Sequence, residues 1–248
     1  RDDEEQIDGI RCVPSFDALN QPVDLAIVAA PASALPETLN QANESGKVRS
    51  AVLISGGVGE TEDSAELRDQ VAEAIAKGRS RPDGGVVCIG PNSMGILSRP
   101  GSYNTFFIPT EKFDSQWSLP AHRLALVSQS GAFIIARLSS MESIRPSVGI
   151  TLGNQMDATS SDLLAAVCRR EDIDVVGVYM EGFSNMDGLS FCAVVREAVS
   201  RGKKIIFYKA GRTESGRSAA AGHTASVAGD YDVCVASIRQ AGGFVVET

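Results

Sequence analysis

The feature that most constrains the fold is one pattern repeated along the chain: a short apolar run, a small-residue turn, then an amphipathic stretch. The runs are rich in Val and Ile, which is typical of strands buried in a parallel sheet. Helical patterns lie between them, for example near residues 32–45 and 65–78. Strand and helix in alternation predict an α/β fold with parallel sheets and helices on both faces. The predicted strands are Leu25–Ala30, Ala51–Ser55, Val86–Ile89, Leu124–Ser128, Val148–Leu152, Val175–Tyr179, Ile205–Tyr208 and Gly243–Val246.

The alternation breaks once, between residues 99 and 121, where prolines, aromatic residues and polar residues replace it. We interpret this segment as a crossover between two domains, because a connection of this composition does not continue a helix. The prediction is therefore two doubly wound parallel-sheet domains, at residues 1–98 and 122–248.

Composition excludes several classes of function. A net charge of −8 argues against a broad nucleic-acid interface, which needs clustered Lys and Arg. No apolar run approaches the roughly 18 residues that span a bilayer, and the acidic start at residues 1–5 is the reverse of a signal peptide. We therefore expect a cytoplasmic protein. The five cysteines are scattered without metal-ligand spacing, which predicts reduced thiols and no metal site.

Ligands of doubly wound sheets bind at the carboxyl ends of the strands, so the loops after the strands are candidate sites. A helix that opens at Ser130 and Gly131 would offer backbone N–H groups and a positive dipole end to a phosphoryl group. The other loops with glycine, proline or small polar residues contain Pro31 and Ala32, Ser55 and Gly56, Asn92, and Gly153 and Asn154.

One histidine stands in a long stretch of very small residues, from Gly211 to Gly229. Such a stretch buries little surface, so it predicts a mobile loop that carries its reactive side chain outward. His223 is therefore the first candidate for chemistry.

Read in order, several blocks of the chain resemble the NDP-forming acyl-CoA synthetases, which include ADP-forming acetate–CoA ligases and the alpha subunit of succinyl-CoA synthetase. The resemblance covers almost the whole chain, and the order of the blocks is more specific than any one of them. The blocks are Val28–Ala32, Gly90–Gly95, Leu126–Ala132, Gly153–Asn154, Tyr179–Gly182, Lys209–Arg212 and Gly222–Gly229.

The resemblance implies a Rossmann-like CoA-binding domain followed by a flavodoxin-like ligase domain with a phosphohistidine. It implies that a phosphoryl group passes between an acyl phosphate, a histidine and ADP or GDP, while the acyl group passes to coenzyme A. His223 matches the histidine and Glu181 its carboxylate partner. Phosphate binding falls on Ser130, Gly131, Gly153 and Asn154, and coenzyme A binding on Pro31, Ala32, Ser55, Gly56 and Asn92.

The proposed pair is chemically sound. A neutral imidazole, with an ordinary pKa of about 6.5, can attack phosphorus through one ring nitrogen. A carboxylate that accepts a hydrogen bond from the other nitrogen fixes the tautomer and stabilises the positive charge of the phosphorylated ring. Positioning and charge neutralisation, which a helix start supplies, are the other needs of phosphoryl transfer.

Each candidate also has a plain interpretation. On sequence alone Glu181 is better read as a strand-end carboxylate that faces water. Ser130 could be an ordinary helix cap, a role compatible with phosphate binding. Lys209 and Arg212 could hold phosphate or be exposed, and His122 is better read as a structural or surface residue.

The chain departs from the family pattern in two respects. No strand and glycine-bearing phosphate turn precede Asp24, and the chain starts with Arg1, so we expect that the first βαβ part is missing and CoA affinity is weakened. Nothing resembles an ATP-grasp domain, so ATP or ADP with Mg would bind mainly to a beta-like subunit or a fused domain. An oligomer that acts on a small carboxylic acid is expected.

Two alternatives to a ligase remain. One is a module that senses CoA or acyl-CoA, for example fused to an acetyltransferase. The other is a nicotinamide or flavin binder, which predicts a G-x-G-x-x-G motif after the first strand that this chain does not show.

Overall fold

The computed structural model describes residues 6–109, 119–141, 143–184, 186–213 and 230–247. In the first half, β3, β4 and β5 form a parallel sheet in that order, with α1 and α2 as the crossovers. Leu35, Leu39 and Val71 from the helices are fully buried against this sheet. The elements are β1 Gln6–Ile7, β2 Ile10–Arg11, β3 Val23–Val28, α1 Leu35–Ser45, β4 Val48–Leu53, α2 Ala65–Arg79 and β5 Val87–Ile89.

The second half is built on a seven-stranded sheet in the order β12-β11-β10-β8-β9-β6-β7. Its strands β8 to β12 are parallel, and β6 runs antiparallel to β9. The elements are β6 Ile96–Ser98, β7 Tyr103–Asn104, β8 His122–Ser128, α3 Gly131–Ser140, β9 Pro146–Thr151, α4 Ser160–Cys168, β10 Val175–Met180, α5 Asp187–Ser200, β11 Lys204–Lys209, α6 Tyr231–Gln240 and β12 Phe244–Val246.

The two faces of this sheet are covered differently. On one face Phe133 of α3 stacks on Tyr179, with ring centroids 3.9 Å apart. On the other, Phe191 of α5 packs against Phe207, and both side chains are fully buried. The main core therefore lies on the α5 side, and the period-two burial of β10 and β11 follows from this difference.

The predicted α/β fold with parallel sheets is confirmed, and every predicted apolar run overlaps a strand. The structure differs at the predicted crossover. Strands β6 and β7 extend the second sheet over residues 96–104. Strand β6 pairs antiparallel with β9, which satisfies backbone groups that would otherwise form an open edge, and β7 pairs antiparallel with β6. Residues 110–118 of the crossover lie outside the described residues.

Hydrogen bonds of Asp157 and Ala158 join the halves. The Asp157 carboxylate receives hydrogen bonds from Arg79 Nε (2.9 Å) and the backbone N–H of Cys88 (2.6 Å). The backbone N–H of Ala158 in turn donates to the Cys88 carbonyl (3.0 Å). The segment after β9 is thus fixed against β5 of the first sheet.

A buried carboxylate also aligns the starts of α4 and α5. Asp187, the first residue of α5, is 6% exposed and accepts hydrogen bonds from Thr159 Oγ1 (2.8 Å) and Ser160 Oγ (2.6 Å), and another from Ser161 Oγ. Of the helices that the structure describes, none has both the length and the apolar content needed to cross a bilayer.

Candidate functional site

The predicted coenzyme-binding residues lie together at the carboxyl ends of β3, β4 and β5. Ser55 Oγ donates a hydrogen bond to the Ala30 carbonyl, which ties the loop after β4 to the loop that begins with Pro31. The backbone N–H of Asn92 donates to the Ser55 carbonyl (2.9 Å). A Cβ on Gly56 would lie 3.3 Å from Asn92 Oδ1. With Ala32 at the start of the helical turn after Pro31, these loops form one shelf.

The shelf is open to ligands on its outer side. Pro31, Gly56 and Asn92 are exposed, and Ala32 and Ser55 are half-buried. Asn92 has a left-handed backbone with φ of 59°, a conformation that asparagine tolerates better than most residues. The shelf therefore presents backbone and small side chains, which lets a ligand approach closely.

The predicted phosphate-binding residues of α3 occupy the helix start. Ser130 is the N-cap, and its Oγ accepts a hydrogen bond from the backbone N–H of Phe133 (3.3 Å). A Cβ on Gly131 would lie 2.2 Å from Cγ of Met94, so this position excludes larger residues. The capping interpretation of Ser130 is confirmed by this geometry, and its phosphate contact stays a prediction.

Gly153 and Asn154 follow β9 and meet the first half of the chain. Gly153 has φ of +62°, and a Cβ there would lie 2.1 Å from the Pro91 carbonyl oxygen. The Asn154 amide donates to the Val58 carbonyl (3.1 Å) and to Glu60 Oε1 (2.8 Å). Both N–H groups of the amide are thus engaged. Its contact with phosphate stays a prediction and requires the loss of one of these hydrogen bonds.

Glu60 is a residue that the sequence analysis missed. Its Oε2 atom and the Oδ1 atom of Asn154 are buried and have no hydrogen-bond partner within the described residues. Two neighbouring acceptors without donors fit a ligand that brings N–H groups to the junction of the halves. An acidic residue directly after a glycine-rich loop was the available signal.

Glu181 is held firmly at the end of β10. It is only 7% exposed, which contradicts the plain interpretation of a carboxylate facing water. Gln129 Oε1 accepts hydrogen bonds from the backbone N–H groups of Glu181 and Gly182, both 2.9 Å long. The Tyr179 hydroxyl donates to Glu181 Oε1 (3.3 Å), and Lys209 Nζ donates to the Glu181 carbonyl (2.6 Å).

The Tyr179 hydroxyl, one of these partners, stays protonated. Burial, with the Glu181 carboxylate nearby, raises the pKa of Tyr179, so its hydroxyl stays protonated and continues to donate. Gln129 was missed as a functional residue, although a polar residue directly after a buried strand was a usable signal.

Lys209 is buried, so the interpretation of it as an exposed side chain is wrong. It is 4% exposed, and its Nζ donates to the carbonyls of Glu181 and Ala210 (2.8 Å). Arg212 is exposed and forms an ion pair with Glu247 (3.0 Å).

His223 lies outside the described residues, within 214–229. The chain enters this segment after β11, whose last residue Lys209 pairs with Met180 at the end of β10. The other histidine, His122, is exposed at the amino end of β8 beside Arg145. Within the described part of the chain, no three or more His, Cys, Asp or Glu side chains form a group that could hold a metal ion.

Comparison with known proteins gives two profile matches. Residues 2–99 match a CoA binding domain, and residues 121–248 match a succinyl-CoA ligase-like flavodoxin domain. The alpha subunit of an ADP-forming acetate–CoA ligase I of Pyrococcus furiosus is 37% identical over 223 residues, which cover 89% of this chain and 45% of that protein. An ADP-forming acetate–CoA ligase II of Archaeoglobus fulgidus is 34% identical over 237 residues, or 94% of this chain and 32% of the relative.

Among solved structures, an acetyl-coenzyme A synthetase 1 of Ca. Korarchaeum cryptofilum in complex with phosphate and ADP superposes with a TM-score of 0.86 at 28% identity. This match covers all of the present chain and 50% of the other. The chain thus spans between about a third and a half of the length of these relatives.

Proposed function

Because the chain belongs to the NDP-forming acyl-CoA synthetase family, we propose that it is the alpha-like part of such an enzyme. It would interconvert a carboxylic acid, CoA and ATP with acyl-CoA, ADP and phosphate. The observation that carries the proposal is the burial of Glu181 at the end of β10, where Gln129 Oε1 accepts a hydrogen bond from its backbone N–H. Strand β10 pairs with β11, after which the chain enters the segment of His223. The ligases among the relatives give no support to the CoA-sensing alternative.

The proposed step at His223 is phosphoryl transfer. The imidazole nitrogen attacks the terminal phosphorus of ATP, the bond to ADP breaks, and the ring then passes the phosphoryl group to the carboxylic acid. Attack of the CoA thiol on the acyl phosphate forms the thioester and releases phosphate. Glu181 would accept a hydrogen bond from the second ring nitrogen and stabilise the charged ring.

Phosphate would bind where β8 and β9 end side by side. The start of α3 at Ser130 and Gly131 supplies the positive end of a helix dipole. Gly153 and Asn154 follow the adjacent strand β9 and close the same edge of the sheet. A helix start binds and orients an anion, and neutralises its charge without a basic side chain.

Coenzyme A would lie on the shelf of Pro31, Ala32, Ser55, Gly56 and Asn92. The shelf fits an extended ligand because its loops are exposed and built from small residues. The orphan acceptors of Glu60 and Asn154, which lie toward the ligase half, suit the amide N–H groups of the CoA arm.

The nucleotide and its Mg would bind mainly to an ATP-grasp partner, either a separate beta-like subunit or a fused domain. The two domains that the chain matches are a CoA binding domain and a succinyl-CoA ligase-like flavodoxin domain, so the proposal assigns the nucleotide to another part of the family enzyme. An oligomer, a small carboxylic acid substrate and a cytoplasmic location belong to the same proposal.

The decisive experiment uses labelled ATP with Mg and the ATP-grasp partner. We expect an acid-labile, base-stable phosphate on the wild-type chain and on His122→Ala, which changes the other histidine. His223→Ala should carry no label, and Glu181→Gln should be labelled far more slowly while it keeps its fold. Full labelling of His223→Ala would refute the proposal.

Coenzyme binding is tested separately. Gly56→Leu places a large side chain on the shelf and should weaken CoA binding measured by calorimetry at least tenfold. Ala72→Leu, on the exposed face of α2, is the matched control and should leave CoA affinity unchanged. Equal affinities of the two variants would remove the shelf from the proposed site.

A further inference from the structure

Helices α5 and α6 enclose a groove of about 510 Å³ between them, at the end of the sheet where β10 and β11 finish. Apolar side chains form most of its wall, and three of them at its rim, Met186, Leu189 and Val233, are 68%, 69% and 64% exposed. This volume is typical of sites for small molecules, which are largely apolar with a few placed polar groups.

The groove has one buried cation. Lys209 contributes to its lining although the residue is only 4% exposed. Its ammonium donates to the carbonyls of Glu181 (2.6 Å) and Ala210 (2.8 Å), which uses two of its three N–H groups. Among the residues with described positions, no carboxylate lies within ion-pair distance (4.0 Å) of this ammonium.

A buried ammonium without a counter-ion is costly, because the neighbouring carbonyl dipoles replace water only in part. The cost is visible in the pKa of Lys209, which burial lowers against the opposing effects of Cys234 and Glu181. An anion in the groove would lower this cost by giving the ammonium a counter-ion, which the described residues do not supply.

The acidic residue of the groove does not take this role. Asp230 lines the groove, but its Oδ1 accepts hydrogen bonds from the backbone N–H groups of Asp232 (2.9 Å) and Val233 (3.1 Å) as the N-cap of α6. The charge of Asp230 is therefore directed to the start of α6. At the inner end of the groove, Lys209 favours a negatively charged ligand group.

We propose that the groove between α5 and α6 binds a small apolar monocarboxylate, with its carboxylate on Lys209 Nζ and its tail along Leu189 and Val233. An amine of the same shape would meet a like charge. A phosphate ester would place a doubly charged group against apolar walls. The inference does not depend on the ligase activity, because it rests on the groove and on the ammonium alone.

The probe is octanoate, titrated into the intact chain by calorimetry, with octylamine and acetate as comparisons. Octanoate should bind at least tenfold more tightly than octylamine, which lacks the negative charge, and than acetate, which lacks the tail. Equal affinities of octanoate and octylamine would overturn the proposal.

Two variants with matched controls locate the site. Ser237→Trp fills the groove and should abolish octanoate binding, whereas Ala236→Trp, at the exposed neighbouring position outside the lining, should not. Lys209→Met should weaken octanoate at least tenfold. Lys203→Met is its control, because Lys203 Nζ also donates to two backbone carbonyls, those of Arg170 and Ile173, but lies before β11.

Circular dichroism checks that each variant is folded. If Lys209→Met does not fold, Ser237→Trp and the comparison with octylamine decide the question. Unchanged octanoate affinity in folded Ser237→Trp refutes the site.

Discussion

The side chain of Gln129 holds the backbone of Glu181: Gln129 Oε1 accepts a 2.9 Å hydrogen bond from the Glu181 N–H and a second from the next residue. Both residues are buried, at 3% and 7% exposure. They belong to strand ends that are far apart in sequence and adjacent in the sheet, since β8 pairs with β10. The position of the proposed catalytic carboxylate therefore depends on a neutral amide one strand away.

Gln129→Met should destabilise the protein and slow labelling of His223. The substitution keeps the shape of the side chain but leaves two buried N–H groups without their acceptor, which costs about 1–3 kcal/mol in the free energy of unfolding. Urea denaturation measures this cost. Gln70→Met on the exposed face of α2 should change the unfolding free energy by less than about 0.5 kcal/mol. Normal labelling by a destabilised Gln129→Met would mean that the amide supports the fold without positioning Glu181.

Gly153→Ala should be much more damaging than Gly57→Ala. Both positions have left-handed backbones, with φ of 62° and 85°. At Gly57 nothing lies within 4 Å of an added Cβ, so only the conformational cost of about 1–2 kcal/mol applies. At Gly153 the Cβ would also collide with the Pro91 carbonyl. Urea denaturation of the two variants measures the difference in their unfolding free energies. Equal losses of stability would show that the contact between Gly153 and Pro91 accommodates a Cβ without destabilising the protein.

Arg79→Met should destabilise the junction of the two halves. Its partner Asp157 has a side chain only 9% exposed, so loss of the guanidinium leaves a buried carboxylate without its counter-charge. We expect a loss of about 1–3 kcal/mol, less than for a fully buried pair because the Arg79 side chain is 36% exposed. The control is Arg201→Met, whose exposed pair with Glu197 contributes less than about 1 kcal/mol. Similar unfolding midpoints in urea for the two variants would contradict this prediction.

Stability should fall in alkaline solution partly because of Cys88. Burial, with the Asp157 carboxylate nearby, raises the pKa of this thiol from 9.0 to about 12. Its contribution is fully present below pH 9 and is lost as the pH rises toward 12, because the unfolded chain releases the proton first.

The slope due to one such group reaches about 1.4 kcal/mol per pH unit. Urea denaturation of Cys88→Ala should therefore give a shallower decline than wild type between pH 9 and 11, and equal slopes between pH 6 and 8. Parallel curves over the whole range would show that the thiol ionises as easily in the folded protein as in the unfolded chain.

The sequence predicted most strands well because the apolar runs are rich in β-branched residues and separated by clear turn signals. It predicted β4 and β10 to within three residues at each end. It did not predict β6 and β7. These strands are only three and two residues long. Strand β6 pairs with β9, a partner about fifty residues away, and β7 pairs with β6, so neither strand follows from a local pattern.

Candidate residues in the loops were identified by type, since glycine, proline and small polar residues at strand ends are a local signal. Their partners were not. The burial of Glu181 and Lys209, and the contact of Asn154 with Glu60, depend on which strand ends lie side by side.

The amino-acid sequence by itself determined the alternation of strand and helix, and with it the edge of each sheet at which the candidate residues lie. That information is local, because side-chain periodicity and turn chemistry act over a few residues. Only the tertiary structure decided that Gln129 fixes Glu181, that Lys209 is a buried cation, and that Glu60 faces Asn154. These relationships join residues from separate strands and loops, and burial and hydrogen bonding between them exist only after the sheets have formed.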